Sequence, residues 1–128
     1  GELPTALEYL LAAREICVTE DIEAENYTNI LGDLALCYVA AGDVPSASQA
    51  ADELETLYPQ VEGASQDSQR ALWAIARVRR SAGQLEAAAA FVQRAYQLVE
   101  TRSAAIPEPA YRQTYRDLIF NRQIIAAQ

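Results

Sequence analysis

The chain has 128 residues, a net charge of −8 and an apolar fraction of 51%. A chain of this length and composition is expected to fold as one domain. It contains no histidine, and it shows no phosphate-binding glycine loop, no nucleophile beside a base and no metal-ligand spacing, so we expect no enzymatic activity, no cofactor and no metal. Its net acidity disfavours direct binding to nucleic acid or membrane, and no apolar run approaches the roughly 18 to 20 residues of a membrane span.

Apolar residues recur at three- and four-residue steps along the chain, and no segment alternates as a strand would. We therefore predict an all-α fold of about six helices. Proline in the first turn marks the start of two helices, Pro59 is expected to end the third, and glycine to end the second and fourth. The predicted helices run from Pro4 to about Val18, through Ile30 and Tyr38 to Gly42, and over about residues 44–57, 67–82, 85–103 and 110–126.

Three glycines, Gly1, Gly42 and Gly83, each begin a similar six-residue pattern, and consecutive ones lie 41 residues apart. A constant period of this length predicts a solenoid, and the short turns between helices predict antiparallel hairpins. The period divides a single domain of residues 1–128 into a half-repeat at 1–27, repeats at 28–66 and 67–106, and a closing helix at 107–128. Gly1 would lie at the turn inside its repeat, so we expect the first half of that repeat to precede it.

The middle unit combines leucines, small residues, a tyrosine and a closing proline at Leu31, Leu34, Ala35, Tyr38, Gly42, Ala47, Ala51, Leu54 and Pro59. This pattern resembles the tetratricopeptide repeat. The next unit departs from it, because Arg79 replaces the tyrosine and Glu100 replaces the proline. The resemblance implies a right-handed superhelical stack of antiparallel helix hairpins. The long period resembles that of the C-terminal repeat domains of bacterial signal-transduction ATPases and of transcription regulators of the maltose-regulator type.

The resemblance also implies a function. It predicts a protein-interaction or sensor module, forming the C-terminal part of a larger cytoplasmic bacterial signalling or transcription regulator. A protein or peptide partner, with acidic partners among the candidates, would bind in the concave groove of the repeats. Two alternatives stay open at this point: a self-association scaffold that forms a homodimer or longer assembly, and a sensor for a small-molecule inducer.

In tetratricopeptide arrays the first helix of each hairpin lines the groove, so its positions outside the core are the candidate ligand contacts. On helix four these positions follow at steps of three, four and three residues, which places them on one stripe. The repeat period then gives the equivalent positions on the second and sixth helices. The candidate groove residues are Arg70, Trp73, Arg77 and Arg80 on helix four, Asn29 and Asp33 on helix two, and Tyr111 and Tyr115 on helix six.

Three arginines around the only tryptophan would offer paired hydrogen bonds to carboxylate or phosphate and an aromatic face. The alternative is that Trp73 belongs to the core and that the arginines are solvated or paired with acids of the preceding hairpin. If the groove hypothesis holds, Trp73→Ala or Arg77→Glu should abolish partner binding and leave helicity intact. Arg79 stands at a buried position, and we expect it to reach solvent or to pair with an acid of the second or third helix.

The charges divide unevenly along the chain. Residues 1–67 hold fourteen acids and one arginine, whereas residues 68–128 hold four acids and nine arginines. The second half is therefore expected to attract an anionic ligand locally, unless the two ends are only solvated differently.

Cys17 and Cys37 lack the spacing of a metal or redox pair. They are predicted to be free thiols, which is typical of a reducing cytoplasm. If their helices are antiparallel, the two thiols lie too far apart for a disulfide.

Overall fold

A computed structural model describes residues 2–20, 23–62 and 68–128. Every regular element in these ranges is a helix and none is a strand, so the all-α prediction is confirmed. The helices are α1 (Glu2–Thr19), α2 (Ala24–Ala40), α3 (Val44–Val61), α4 (Ser68–Ser81), α5 (Leu85–Ala104), α6 (Pro109–Asp117) and α7 (Ile119–Ala126).

The count of about six helices is wrong, because the segment predicted as one helix over residues 110–126 is broken at Leu118. This residue has an extended backbone, with φ −56° and ψ 142°. Nine residues separate Tyr115 from Ile124, so at about 100° per residue one straight helix would place them on opposite faces. The break lets both side chains pack against the same core, where Ile124 is fully buried.

The predicted end of the third helix before Pro59 is also wrong, since α3 continues to Val61. Proline lacks the N–H that would bond to the carbonyl one turn earlier, which weakens a helix at that point. Tyr58 and Val61 nevertheless lie in the core with 4% and 3% of their surface exposed. Their burial outweighs the lost hydrogen bond and keeps the last turn helical.

Two of the three repeat glycines end helices in the same way. Gly42 and Gly83 have φ of 77° and 81°, in the left-handed region that side chains disfavour. At the first, the N–H of Asp43 bonds to Tyr38 O and that of Gly42 to Val39 O; the same two bonds recur 41 residues later. This is the Schellman cap, and it reverses the chain direction within two residues. Gly1 lies outside the described residues.

The helices pack as neighbouring hairpins. α2 packs against α3 and α4 against α5, and the Arg102 side chain near the end of α5 bonds to Ser68 at the start of α4, so that hairpin is antiparallel. α4 also contacts α2 and α3, while α1 packs on α2. At the other end α6 packs on α5 and α7, and α7 packs on both α4 and α5. α4 therefore lies in the middle of the described helices.

α2 and α4 approach closely beside Gly32, but the approach leaves room for a methyl group at this position. Gly32 is buried on α2, and a Cβ built on it would lie 3.6 Å from the Cβ of Ala74 on α4. That distance is ordinary van der Waals contact. The main core beside it consists of the fully or almost fully buried side chains Leu31, Leu54, Leu72, Ile75, Val99 and Ile124.

Arg79 behaves as predicted for a cation at a buried position. Its guanidinium bonds to Asp52 Oδ1 at 2.8 Å and to Glu55 Oε2 at 2.9 Å, both on α3. Burial by itself lowers the pKa of Arg79, but the two acids outweigh it and raise the pKa above its ordinary value. The ion pairs therefore join α4 to the preceding hairpin.

Substitutions of the capping Gly83 and the buried Gly32 test the left-handed cap and the contact between α2 and α4. Gly83→Ala should lower the free energy of unfolding by about 1 to 2 kcal/mol, because alanine is strained at positive φ. Gly32→Ala should raise it by about 0.5 to 1 kcal/mol, because the methyl group fits and alanine favours a helix. Urea denaturation followed by circular dichroism measures both. A destabilised Gly32→Ala variant would contradict the contact distance between α2 and α4.

Candidate functional site

The last two turns of α4 carry three of the predicted site residues on one face. Trp73, Arg77 and Arg80 follow at steps of four and three residues, so their side chains emerge in a row. They line a groove of about 540 Å³ between α2, α4 and α7, which we call the central groove. Its other lining residues are Leu36, Val39 and Ala40 of α2 and Phe120, Gln123, Ala126 and Ala127 at the end of the chain.

A second cleft, of about 850 Å³, lies between α1 and α2. Leu36 lines both this α1–α2 cleft and the central groove, so the two are adjacent across one side chain. The α1–α2 cleft is largely apolar, with Tyr9 and Leu10 on its α1 wall, but Glu2 and Asp33 also line it. The lining therefore changes from acidic beside α1 to basic beside α4.

Arg77 and Arg80 are the charged groups of the central groove, and both are exposed. The Arg77 guanidinium carbon lies 5.7 Å from the centre of the Trp73 ring, within range of a cation–π contact. In the described ranges neither side chain donates a hydrogen bond or forms an ion pair, whereas Arg14, Arg70, Arg79 and Arg116 each contact an acid. The carbonyl dipole at the end of α4 favours the charge of Arg80.

Trp73 itself is mostly core, with 6% of its surface exposed. Its Nε1–H donates to Gln123 Oε1 at 3.2 Å, which joins α4 to α7. An edge of the ring still lines the groove. The expectation that Trp73→Ala would leave the helices intact is therefore unsuited to this position, since removing a buried tryptophan costs about 3 to 5 kcal/mol.

Arg70 and Asp33, two further predicted site residues, bind each other. Arg70 Nη2 lies 2.7 Å from Asp33 Oδ1, and the Arg70 guanidinium stacks 4.4 Å above the centre of the Phe120 ring. The pair links α2, α4 and α7, so its charges are already matched within the chain. Asn29 is half-buried on α2, about two turns before Leu36, and it is not among the residues that line the central groove.

Tyr111 and Tyr115 were expected on the groove wall, but they lie on α6, which packs on α5 and α7. Tyr111 is 69% exposed, and Tyr115 packs into the core with its hydroxyl accepting a 3.4 Å hydrogen bond from Gln69 Nε2. Phe120 and Gln123 of α7 form the wall instead. The repeat period failed here because it assumed an unbroken sixth helix.

A buried polar network holds the last helices in place, and no pattern in the sequence indicated it. Gln69 and Asn121, at 2% and 1% exposure, bond through Gln69 Nε2 and Asn121 Oδ1 at 3.0 Å. Arg102 Nη1 donates to Gln69 Oε1 at 2.6 Å, and Asn121 Nδ2 donates to Tyr115 O at 2.8 Å. The network joins α4, α5, α6 and α7. Polar residues of this kind read as surface in a sequence, so only the fold reveals them.

Both cysteines are free thiols, as predicted. Cys37 lines the α1–α2 cleft, where burial and then the charge of Asp33 raise the pKa of its thiol. It is therefore protonated at neutral pH and a poor nucleophile. Over the described ranges, no group of three metal-binding side chains occurs.

No helix in the described part of the chain has the length and apolar character needed to cross a bilayer. Comparison with family models, curated proteins and solved structures finds no match to this chain. The central groove, with Arg77 and Arg80 unpaired with an acid in the described ranges, is therefore the candidate functional site.

Because Gln69 belongs to the buried network, we expect it to contribute more to stability than an exposed glutamine does. Gln69→Ala leaves the amide of Asn121 and the guanidinium of Arg102 short of a partner inside the protein, and we expect a loss of about 1 to 3 kcal/mol in the free energy of unfolding. Gln97→Ala, the same change at an exposed site on α5, should stay within about 0.5 kcal/mol of wild type. Urea denaturation compares them, and equal midpoints would show that the network adds no stability.

Proposed function

We propose that the chain is a protein-interaction module that binds an acidic, partly apolar segment of a partner protein in the central groove. The observation that carries this proposal is the pair Arg77 and Arg80, exposed and without an acid, above the apolar side chains of Leu36 and Val39. An acidic side chain of the partner would supply the missing counter-charge. Its apolar neighbours would cover the groove floor.

The charge balance of the chain makes this pair unusual. The protein has eighteen acids and only ten basic residues, so acids are abundant enough to pair every arginine. Arg70 and Arg79 on the same helix do have acidic partners within 3 Å. Arg77 and Arg80 instead face alanine, leucine and valine side chains. Two guanidinium groups left in this state favour an anionic ligand with planar acceptor oxygens.

The apolar part of the central groove favours a peptide or protein as the ligand over a free ion. Leu36 and Val39 lie half-buried beside the Trp73 edge, and Leu36 continues into the α1–α2 cleft. Together these surfaces extend from α1 to α7 and offer several apolar side chains to a partner segment. Grooves between packed helices are common sites for an apolar face of a partner segment.

The stacking of neighbouring hairpins and the two Schellman caps agree with a tetratricopeptide-like array, and we propose that fold for the chain. The setting that we propose, a cytoplasmic bacterial signalling or transcription regulator, comes from the resemblance of the repeats. In such a protein the module would supply contacts to a partner and no chemistry of its own.

The proposal predicts that charge reversal at the groove abolishes binding of an acidic peptide. As a probe we suggest a short fluorescent peptide rich in glutamate and leucine, followed by fluorescence anisotropy at low salt. Arg77→Glu should weaken its binding by about tenfold or more, since a hydrogen bond to a charged group contributes about 1.5 to 3 kcal/mol. Arg122→Glu, the same charge change at an exposed arginine that does not line the groove, should have little effect.

Steric variants separate the groove from the overall charge. Ala40→Trp fills the central groove from an exposed position on α2, whereas Ala12→Trp adds the same bulk to an exposed position on α1 outside both clefts. Only the first should reduce peptide binding. If both arginine variants, or both tryptophan variants, weaken binding equally, the peptide binds by general attraction and the groove proposal fails.

A second candidate function, self-association, is favoured by α1. Tyr9 and Ile16 lie seven residues apart on one face of this helix and are 75% and 58% exposed, while Leu11 and Val18 are 43% and 61% exposed on another face. Exposed apolar faces of this kind commonly mark a protein contact. The occupant would be a second copy of the chain, packed end to end.

Sedimentation equilibrium tests this candidate. The apparent mass should rise above 14.0 kDa with concentration, and the double variant Tyr9→Ser/Ile16→Ser should remain monomeric because it removes one apolar face of α1. Tyr111→Ser removes an equally exposed tyrosine on α6 and should leave the association unchanged. A wild-type mass of 14.0 kDa at every concentration would exclude self-association.

A further inference from the structure

A third cleft lies on the other side of the arginine pair, between the end of α4 and the start of α5. We call it the α4–α5 cleft, and its volume is about 350 Å³. Arg77, Arg80 and the edge of Trp73 border both it and the central groove. The rest of its wall comes from Ala76 of α4, from α5, a helix that does not line the central groove, and from Ala127 and Gln128, of which Ala127 also lines that groove.

The walls of this cleft are apolar apart from its rim. Ala88 is buried on α5 at 5% exposure, and Ala76 faces it from α4 at 2%. Val92 is half-buried, and Leu85 remains 65% exposed at the edge although it is a large apolar side chain. Alanines at these positions leave space that larger side chains would fill, so the cleft is a consequence of the local sequence.

The positive charge at the rim is unmatched. α5 contributes Glu86 near its start, but this side chain does not line the cleft, and in the described ranges no acid pairs with Arg77 or Arg80. A ligand here would meet two guanidinium groups on one side and alanine, leucine and valine on the other. Such a lining selects a molecule with one anionic end and one apolar end.

The size of the cleft limits that molecule. A volume of about 350 Å³ corresponds to about twelve water molecules at about 30 Å³ each. It therefore accommodates a ligand of about ten non-hydrogen atoms, such as a short aliphatic or aryl-alkyl carboxylate. A larger molecule would extend out of the cleft into solvent.

We propose that the α4–α5 cleft is a binding site for a small amphiphilic carboxylate, with its carboxylate held by Arg77 and Arg80 and its apolar body against Leu85, Ala88 and Val92. The site shares Arg77, Arg80 and Trp73 with the proposed partner groove but has its own apolar wall on α5. The proposal does not depend on a partner protein. It assigns the small-molecule alternative to a specific place and a specific ligand chemistry.

Trp73 provides the signal for the test, since it is the only tryptophan and its edge lines the cleft. Octanoate and 4-phenylbutyrate are titrated into the full chain while tryptophan fluorescence is recorded, and they represent aliphatic and aromatic carboxylates. At least one should give a saturable change. The alcohols 1-octanol and 4-phenylbutan-1-ol test the apolar body alone, and acetate tests the head group alone. The two alcohols should bind at least about tenfold more weakly because they lose the charge-assisted hydrogen bonds to the arginines. Acetate should also bind weakly because it buries almost no apolar surface.

Matched variants locate the site. Ala89 is exposed and lines the cleft, whereas the neighbouring Ala90 is exposed and does not, so Ala89→Phe should remove the binding signal and Ala90→Phe should retain it. Arg80→Gln should weaken carboxylate binding by about tenfold, whereas Arg122→Gln should leave it unchanged. Circular dichroism checks that all four variants fold.

The outcomes separate this proposal from the peptide groove. Ala40 lines the central groove and not the α4–α5 cleft, so Ala40→Phe, which adds bulk without a second tryptophan, should not change carboxylate binding. The proposal is overturned if neither carboxylate gives a saturable change, if the alcohols bind as well as the carboxylates, or if Ala89→Phe and Ala90→Phe behave alike. Failure of the acidic peptide to bind has no bearing on these results, because Ala89 and the apolar wall on α5, which locate the carboxylate, do not line the central groove.

Discussion

The packing of α4 between other helices is the constraint on which the rest of the structure depends. Nine of its fourteen residues are buried, and it contacts α2, α3, α5 and α7. A helix surrounded in this way has little free surface, so its arginine side chains emerge only at its edges. What each arginine of α4 does is then decided by the helix beside it. Arg70 and Arg79 meet acids, whereas Arg77 and Arg80 meet apolar side chains and remain open.

The features that depend on local backbone geometry were predictable from the sequence. A left-handed cap requires glycine, so Gly42 and Gly83 mark two helix ends with the same hydrogen bonds. Small residues at the core positions were equally informative, because Ala35 and Ala47 are fully buried where two helices approach. The helical spacing also identified Trp73, Arg77 and Arg80 as neighbours on one face. These inferences required only helix periodicity and the steric demands of one or two residues.

The parts of the fold and of the site that could not be predicted depend on which helix surfaces pack against each other in the folded chain. Residues 110–126 have a continuous helical pattern without an internal glycine or proline, yet the helix breaks at Leu118. The break is favourable because Asn121 Nδ2 bonds to the freed carbonyl of Tyr115 and because Ile124 becomes buried. No local signal encodes that gain. The same applies to Arg70, which looks like Arg77 on a helical wheel until Asp33 and Phe120 are placed beside it.

The shared position of Arg77 and Arg80 also links the two proposed sites. Each guanidinium can direct its paired donors to one anion at a time, so a carboxylate in the α4–α5 cleft would draw them away from the central groove. A bound carboxylate would then lower the affinity for an acidic partner. By linkage, the bound partner would lower the affinity for the carboxylate by the same factor. This coupling requires no movement of the helices, because the arginine side chains are exposed and the apolar walls are fixed by the core. A module built on α4 would in this way respond to a metabolite by releasing a protein.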